Sequence, residues 1–122
     1  MEIIATNNAP AAIGPYSQGY ITGGLIFTSG QIPIDPATGV LKESIEDQAD
    51  QSCRNVIEIL KAAGSDASKV VKTTCFISDM SKFADFNAVY EKYFTSKPAR
   101  SCVEVAKLPK GVFCEVEAIA EV

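Results

Sequence analysis

Ser44-Ile45-Glu46-Asp47 opens a run that Gly64 closes, and between them Ile45, Ala49, Cys53, Ile57 and Leu60 recur every three or four residues. That spacing is helical. The Ser44 hydroxyl can accept from orphan backbone donors, Glu46 and Asp47 suit the positive end of the helix dipole, and Gly64 supplies a left-handed residue past the last turn. A helix starting at Ile45 is predicted, with Glu46, Asp50, Arg54, Glu58 and Lys61 turned to water. One apolar stripe needs a sheet face to cover it.

The flanking segments supply that sheet. Tyr20-Ile21-Thr22-Gly23-Gly24-Leu25-Ile26-Phe27-Thr28 reads as two short strands around a Gly-Gly turn, and Asp35-Pro36-Ala37-Thr38-Gly39 as a turn that leaves the sheet. Val70 to Ile77 is rich in β-branched residues and predicts a strand. Phe83, Phe86, Tyr90 and Tyr93 or Phe94 then return at helical spacing, with Asn87 on the flank of that aromatic stripe. Ser101 to Ala106 and Val112 to Glu121 read as two adjacent antiparallel strands joined by Lys107-Leu108-Pro109-Lys110-Gly111. The expected order is hairpin, helix, strand, helix, hairpin. This predicts an α+β fold in which a mixed sheet of about six strands carries two helices on one face, a single domain over residues 1–122, with the opposite face needing another cover.

Composition narrows the function. A chain of 122 residues that is 47% hydrophobic can bury one core, and no stretch of about 18 uncharged apolar residues suggests a membrane span. Met1-Glu2-Ile3-Ile4 lacks a basic and apolar leader, so a cytoplasmic location is expected, with reduced thiols. Cys53, Cys75, Cys102 and Cys114 have no paired spacing and the chain has no histidine, which leaves no metal motif. A net charge of −4 without a basic run makes nucleic acid an unlikely partner.

Pro98-Ala99-Arg100-Ser101-Cys102 places a guanidinium at the mouth of a strand, and Cys114-Glu115-Val116-Glu117 follows with carboxylates. A guanidinium presents a planar fork of donors that fits a carboxylate bidentately, so it orients a ligand as well as attracting it. Alternation puts Arg100, Cys102 and Glu104 on one face and Glu115, Glu117 and Glu121 on a face of the next strand, which would bring Arg100 and Glu115 toward one cleft. On spacing alone, an ion pair between Arg100 and Glu115 or Glu117 is an equal reading. Tyr16, Ser29, Gly30 and Asn87 have ordinary readings too, as a packed ring, a strand end and an exposed helix residue.

Ile13-Gly14-Pro15-Tyr16-Ser17-Gln18, Ser29-Gly30-Gln31-Ile32-Pro33 and the Pro98 to Val105 segment, in that order, resemble the reactive-intermediate deaminase (Rid) family from about Ala9 to Ala120. Two departures stand out: Cys114 replaces an expected aliphatic residue, and Thr95-Ser96-Lys97 is shorter than in some members. The resemblance implies a chorismate-mutase-like fold, assembled as a homotrimer around a central barrel with pockets at the subunit clefts. It also implies hydrolysis of 2-imino acids such as 2-iminobutanoate and 2-iminopropanoate, released by pyridoxal-phosphate-dependent dehydratases, without a cofactor or metal. Arg100 would anchor the substrate carboxylate, the backbone at Cys102 would help hold it, Glu115 would position water, and Tyr16, Ser29, Gly30 and Asn87 would line the pocket. Two other functions compete with this one: a 2-oxo-acid sensor without turnover, and a ribonuclease or translation inhibitor.

Overall fold

A computed structural model describes all residues, 1–122. Helix α1 (Ile45–Ala62) starts where its cap predicts: Ser44 is extended, its hydroxyl accepts from the Asp47 N–H at 3.1 Å, and Gly64 takes a φ of +81° beyond the C-terminus. The buried stripe differs in its second half, where Val56 and Ile59 face inward and Ile57 does not. Each four-residue step overshoots a helical turn by about 40°, so three such steps from Ile45 carry Ile57 off the core-facing side.

The strands are β1 (Glu2–Ile4), β2 (Gly19–Thr22), β3 (Leu25–Thr28), β4 (Val70–Ile77), β5 (Ala99–Glu104) and β6 (Cys114–Glu121), with helix α2 (Phe83–Tyr93) between β4 and β5. β2 and β3 form the expected hairpin, with Gly23 and Gly24 at φ +59° and +77°. β1, too short to show a period, joins its outer side. All six strands make one sheet in the order β1-β2-β3-β6-β4-β5.

That order corrects one expectation: β5 and β6 are not a hairpin. β4, α2 and β5 form a strand–helix–strand crossover, which sets β5 parallel to β4 on the sheet's outer edge. The free side of β4 then receives β6, which runs antiparallel to both β4 and β3. The connector after β5 carries the chain across β4 through a short 3-10 turn at Pro109–Gly111, where Lys110 takes a φ of +58°.

Both helices lie on one face, over Ile26, Cys75, Ile77, Cys114 and Val116, all fully buried with Val56, Ile59, Leu60 and Phe86. The aromatic stripe of α2 is part of this core: the Phe86 and Tyr90 rings are 6.0 Å apart, and those of Tyr90 and Phe94 4.8 Å. Buried amides tie the loops down. Asn55 donates to the carbonyls of Ile32 and Ile34, and Gln48 donates to Lys42 and accepts from the Phe113 N–H. No buried side-chain nitrogen or oxygen lacks a partner. The opposite face carries neither helix and presents Phe27, 39% exposed, with Ile119, Lys72, Thr74 and Phe76 beside it. No helix is long and apolar enough to cross a membrane.

Phe86 has the largest fully buried side chain. Phe86→Ala should cost roughly 3–5 kcal/mol. Urea unfolding followed by circular dichroism measures this, and an unchanged midpoint would contradict the packing.

Candidate active site

The pleat of the sheet divides the sequence-predicted residues into two groups. Arg100 sits opposite Thr73 of β4, and Cys102 opposite Cys75, so both point to the helix-covered face. Glu115 pairs with Phe76, which pairs with Val103, and this row points to the open face. Arg100 and Glu115 are therefore neither on adjacent strands nor on one face. Within one chain they do not share a cleft, because β4 intervenes and the two positions have opposite parity.

The Arg100 guanidinium is held by three neighbours. Its Nη1 donates to the Asn87 side-chain carbonyl at 2.6 Å, and the guanidinium lies 4.7 Å from the centre of the Tyr90 ring and 5.5 Å from that of Phe83. Contact with the ring faces is attractive and keeps the guanidinium plane fixed. Tyr90 is itself held by a 2.6 Å hydrogen bond between its hydroxyl and that of buried Thr73. The chain's ion pairs are Arg54–Asp50 and Lys61–Glu58, so Arg100 has no acidic side chain within 4.0 Å. The ion pair with Glu115 or Glu117 does not form. A cleft of 810 Å³ opens beside Arg100, lined also by Asn87, Tyr90, Lys97 and Pro98.

The Glu115 group is built around a missing side chain. A Cβ on Gly30 would collide with the Glu115 carboxylate, so the glycine is what lets the acid lie against the backbone. Gln31 and Val116 exchange backbone hydrogen bonds of 2.8 and 3.2 Å, holding that loop against β6. Ser29 donates through its N–H to the Gln18 carbonyl and through its hydroxyl to that of Ser17. Tyr16, 53% exposed, lines a shallow depression with Ser29, Tyr20 and Phe27. Burial, and then the like charge of Glu117, pushes the Glu115 carboxyl above the usual glutamate range.

Sequence reasoning missed the supports. Tyr90 reads as core from its spacing, and only its place one turn after Asn87 hints that the same ring carries Arg100. Thr73 and Gln31 leave no signal, since strand register and an isolated bridge decide their roles.

The model of the family described as Endoribonuclease L-PSP matches residues 6–122. The chain belongs to the L-PSP family. An L-PSP relative from Salmonella typhimurium, named 2-iminobutanoate/2-iminopropanoate deaminase, is 56% identical over 96% of this chain and 94% of its own length. One from Lactococcus lactis, described as a regulator, AldR, is 54% identical over 100% of this chain and 98% of its own. The crystal structure of E. coli TdcF with bound serine superposes with a TM-score of 0.96 at 48% identity, covering 100% of this chain and 99% of that one. The L-PSP fold thus spans the chain from end to end.

At Gly30 space is limiting, because a Cβ would run into a side chain while the backbone itself stays outside the left-handed region. Gly30→Ala should leave the protein folded and displace the Glu115 carboxylate. Carboxyl-carbon NMR titration reads the displacement as a changed Glu115 pKa, and an unchanged titration would refute the close approach.

Proposed function

We propose that the chain, as one domain over residues 1–122, hydrolyses 2-iminobutanoate and 2-iminopropanoate to the 2-oxo acids and ammonia in clefts between the subunits of a homotrimer. The observation that carries this reading is the separation of an unneutralised, rigid Arg100 from a proton-accepting Glu115 on the other side of the sheet. A second copy of the chain can bring the Glu115 face against the Arg100 edge, whereas one copy cannot. The chorismate-mutase-like trimer, with three sheets around a central barrel, also covers the open face that holds Phe27 and Ile119. Relatives named as deaminases at 56% and 55% identity, and one solved with bound serine, an amino acid, support the same substrate class.

Arg100 takes the substrate carboxylate bidentately while Asn87 and Tyr90 fix its plane, and the backbone at Cys102 adds a donor. The imine carbon then faces the neighbouring subunit's copy of the Glu115 group, with Tyr16, Ser29 and Gly30 lining that wall. Water adds to the C=N carbon as the carboxylate of Glu115 accepts its proton and passes that same proton to the imine nitrogen. The tetrahedral carbinolamine then collapses to the 2-oxo acid: its hydroxyl proton moves by way of Glu115 to the nitrogen, the C–N bond breaks, and ammonia leaves. Positioning plus one acid/base group suffices because the imine is already electrophilic. Pyridoxal-phosphate-dependent dehydratases of the cytoplasm would supply the imine. The L-PSP family description invites a ribonuclease reading, but a charge of −4 and paired carboxylates on the open face repel a phosphate backbone. A sensor without turnover fits the same Arg100 cleft, and the relative described as a regulator favours keeping it as the second reading.

Arg100→Ala and Glu115→Gln should each abolish most turnover in a coupled threonine dehydratase assay for ammonia and 2-oxo acid. A sensor would instead show no turnover in the unmodified chain. Refolding the two variants together separates a shared site from a private one: random mixing in a three-subunit ring leaves about a quarter of the clefts with both groups intact. Recovery to about that level is expected, and a mixture as inactive as its components would exclude the shared cleft.

Glu117→Gln should move the acid limb of the kcat/KM profile to lower pH. Glu115 acts as a carboxylate, so activity falls as pH drops through its raised pKa, and removing the like charge of Glu117 lowers that pKa. An unshifted limb would remove Glu115 as the base.

A further inference from the structure

Cys75 and Cys102 face each other across β4 and β5 in direct register, both on the helix-covered side of the sheet. Residues opposed on neighbouring strands lie about 5 Å apart, within the Cα separation a disulfide spans. Both thiols are free, Cys75 is fully buried, and Cys102 is partly exposed, two residues along β5 from Arg100 and on the same face. The neighbouring Cys75 thiol, and beyond it the Arg100 guanidinium, outweigh burial and hold the Cys102 thiol below the usual cysteine range. The same pairing, and after it burial, push Cys75 the other way. Cys53 and Cys114 are fully buried and raised by burial, so Cys102 is the one cysteine of the four that solvent and a dissolved oxidant can reach. A low-pKa, accessible thiolate beside a second thiol is the arrangement that captures peroxide and then resolves it.

We propose that Cys102 and Cys75 form a peroxide-responsive thiol pair that closes to a disulfide beside Arg100. The Cys102 thiolate attacks the O–O bond of a hydroperoxide; an S–O bond forms, the O–O bond breaks, and hydroxide or an alkoxide leaves. Cys75 sulfur then attacks Cys102 sulfur; an S–S bond forms, the S–O bond breaks, and the departing hydroxide leaves as water with the Cys75 proton. Two electrons pass from the thiols to the peroxide, and a dithiol reductant returns them. β5 is an edge strand paired only to β4, so it can shift to meet disulfide geometry. That shift moves the backbone at Cys102 and, two residues earlier on the same face, Arg100. Displacing Arg100 would lower imine turnover, a consequence that rests on the deaminase reading above, whereas the thiol chemistry does not.

Treating the full chain with hydrogen peroxide, alkylating it in denaturant and mapping its peptides by mass spectrometry tests the pair. The expected product is a Cys75–Cys102 cross-linked peptide with Cys53 and Cys114 alkylated, reversed by dithiothreitol. Cys75→Ala should instead accumulate a Cys102 sulfenic acid that dimedone captures; should that variant fail to fold, the wild-type map still decides. Four alkylated cysteines, Cys102 sulfinic acid beside an alkylated Cys75, or Cys102 bridged to another chain would each overturn the proposal. In parallel, imine turnover should drop on the order of tenfold or more and return with dithiothreitol. A mapped cross-link with turnover unchanged would overturn the regulatory consequence, and a reduced wild type inactive toward imines would refute the deaminase reading while leaving the thiol pair standing.

Discussion

Side chains leave a strand in alternate directions, and at β4 that alternation separates the chemistry of this molecule. β4 passes register from β6 on one side to β5 on the other, so parity on any of the three strands sets parity on the rest. Thr73, Cys75 and Ile77 thereby commit Arg100, Cys102 and Glu104 to the helices, while Phe76 commits Glu115 to the open face. A slip of one residue in the β4–β6 pairing would turn Glu115 and Glu117 toward the core and Cys114 and Val116 toward the open face, which the full burial of Cys114 and Val116 forbids.

Arg100 is held by neutral partners. An amide carbonyl and two aromatic rings orient a guanidinium without cancelling its charge. A carboxylate in place of Asn87 would have oriented it equally well and quenched it. The same economy appears at Gly30, where a side chain is omitted so that an acid can approach the backbone and lose water. Deeper in the fold, the buried amides of Gln48 and Asn55 are completely satisfied, where a single unpaired amide would cost about 1–3 kcal/mol.

Elements with strong local signals were legible. Ser44 and Gly64 bound a helix because caps are local chemistry, Gly23-Gly24 made a hairpin because only glycine suits its backbone, and the Phe86, Tyr90, Phe94 stripe was visible as period. Strand order was not legible, because nothing in Ser101 to Glu121 distinguishes a hairpin from two strands straddling a third. The crossover through α2 makes β5 a parallel partner of β4, and that is a long-range property. The same holds for the site: Arg100, Glu115, Tyr16, Ser29, Gly30, Asn87 and Cys102 stand out in the sequence, yet their division between two faces follows only from register. β1 escaped for a simpler reason, since three residues are too few to show alternation.

The central position of β6 has a consequence for how the chain acquires its shape. Strands β1 to β3 form one ribbon and β4 with β5 another, and the two have no pairing until Cys114–Glu121 is inserted between them. During synthesis, nearly the whole chain must therefore leave the ribosome with the inner edges of β3 and β4 still open, and the sheet closes in one late, long-range event. Such pairings are slow to find, and open edges are where chains join one another by mistake. Nascent molecules of this protein thus carry their greatest risk of aggregation in the interval before the last strand arrives.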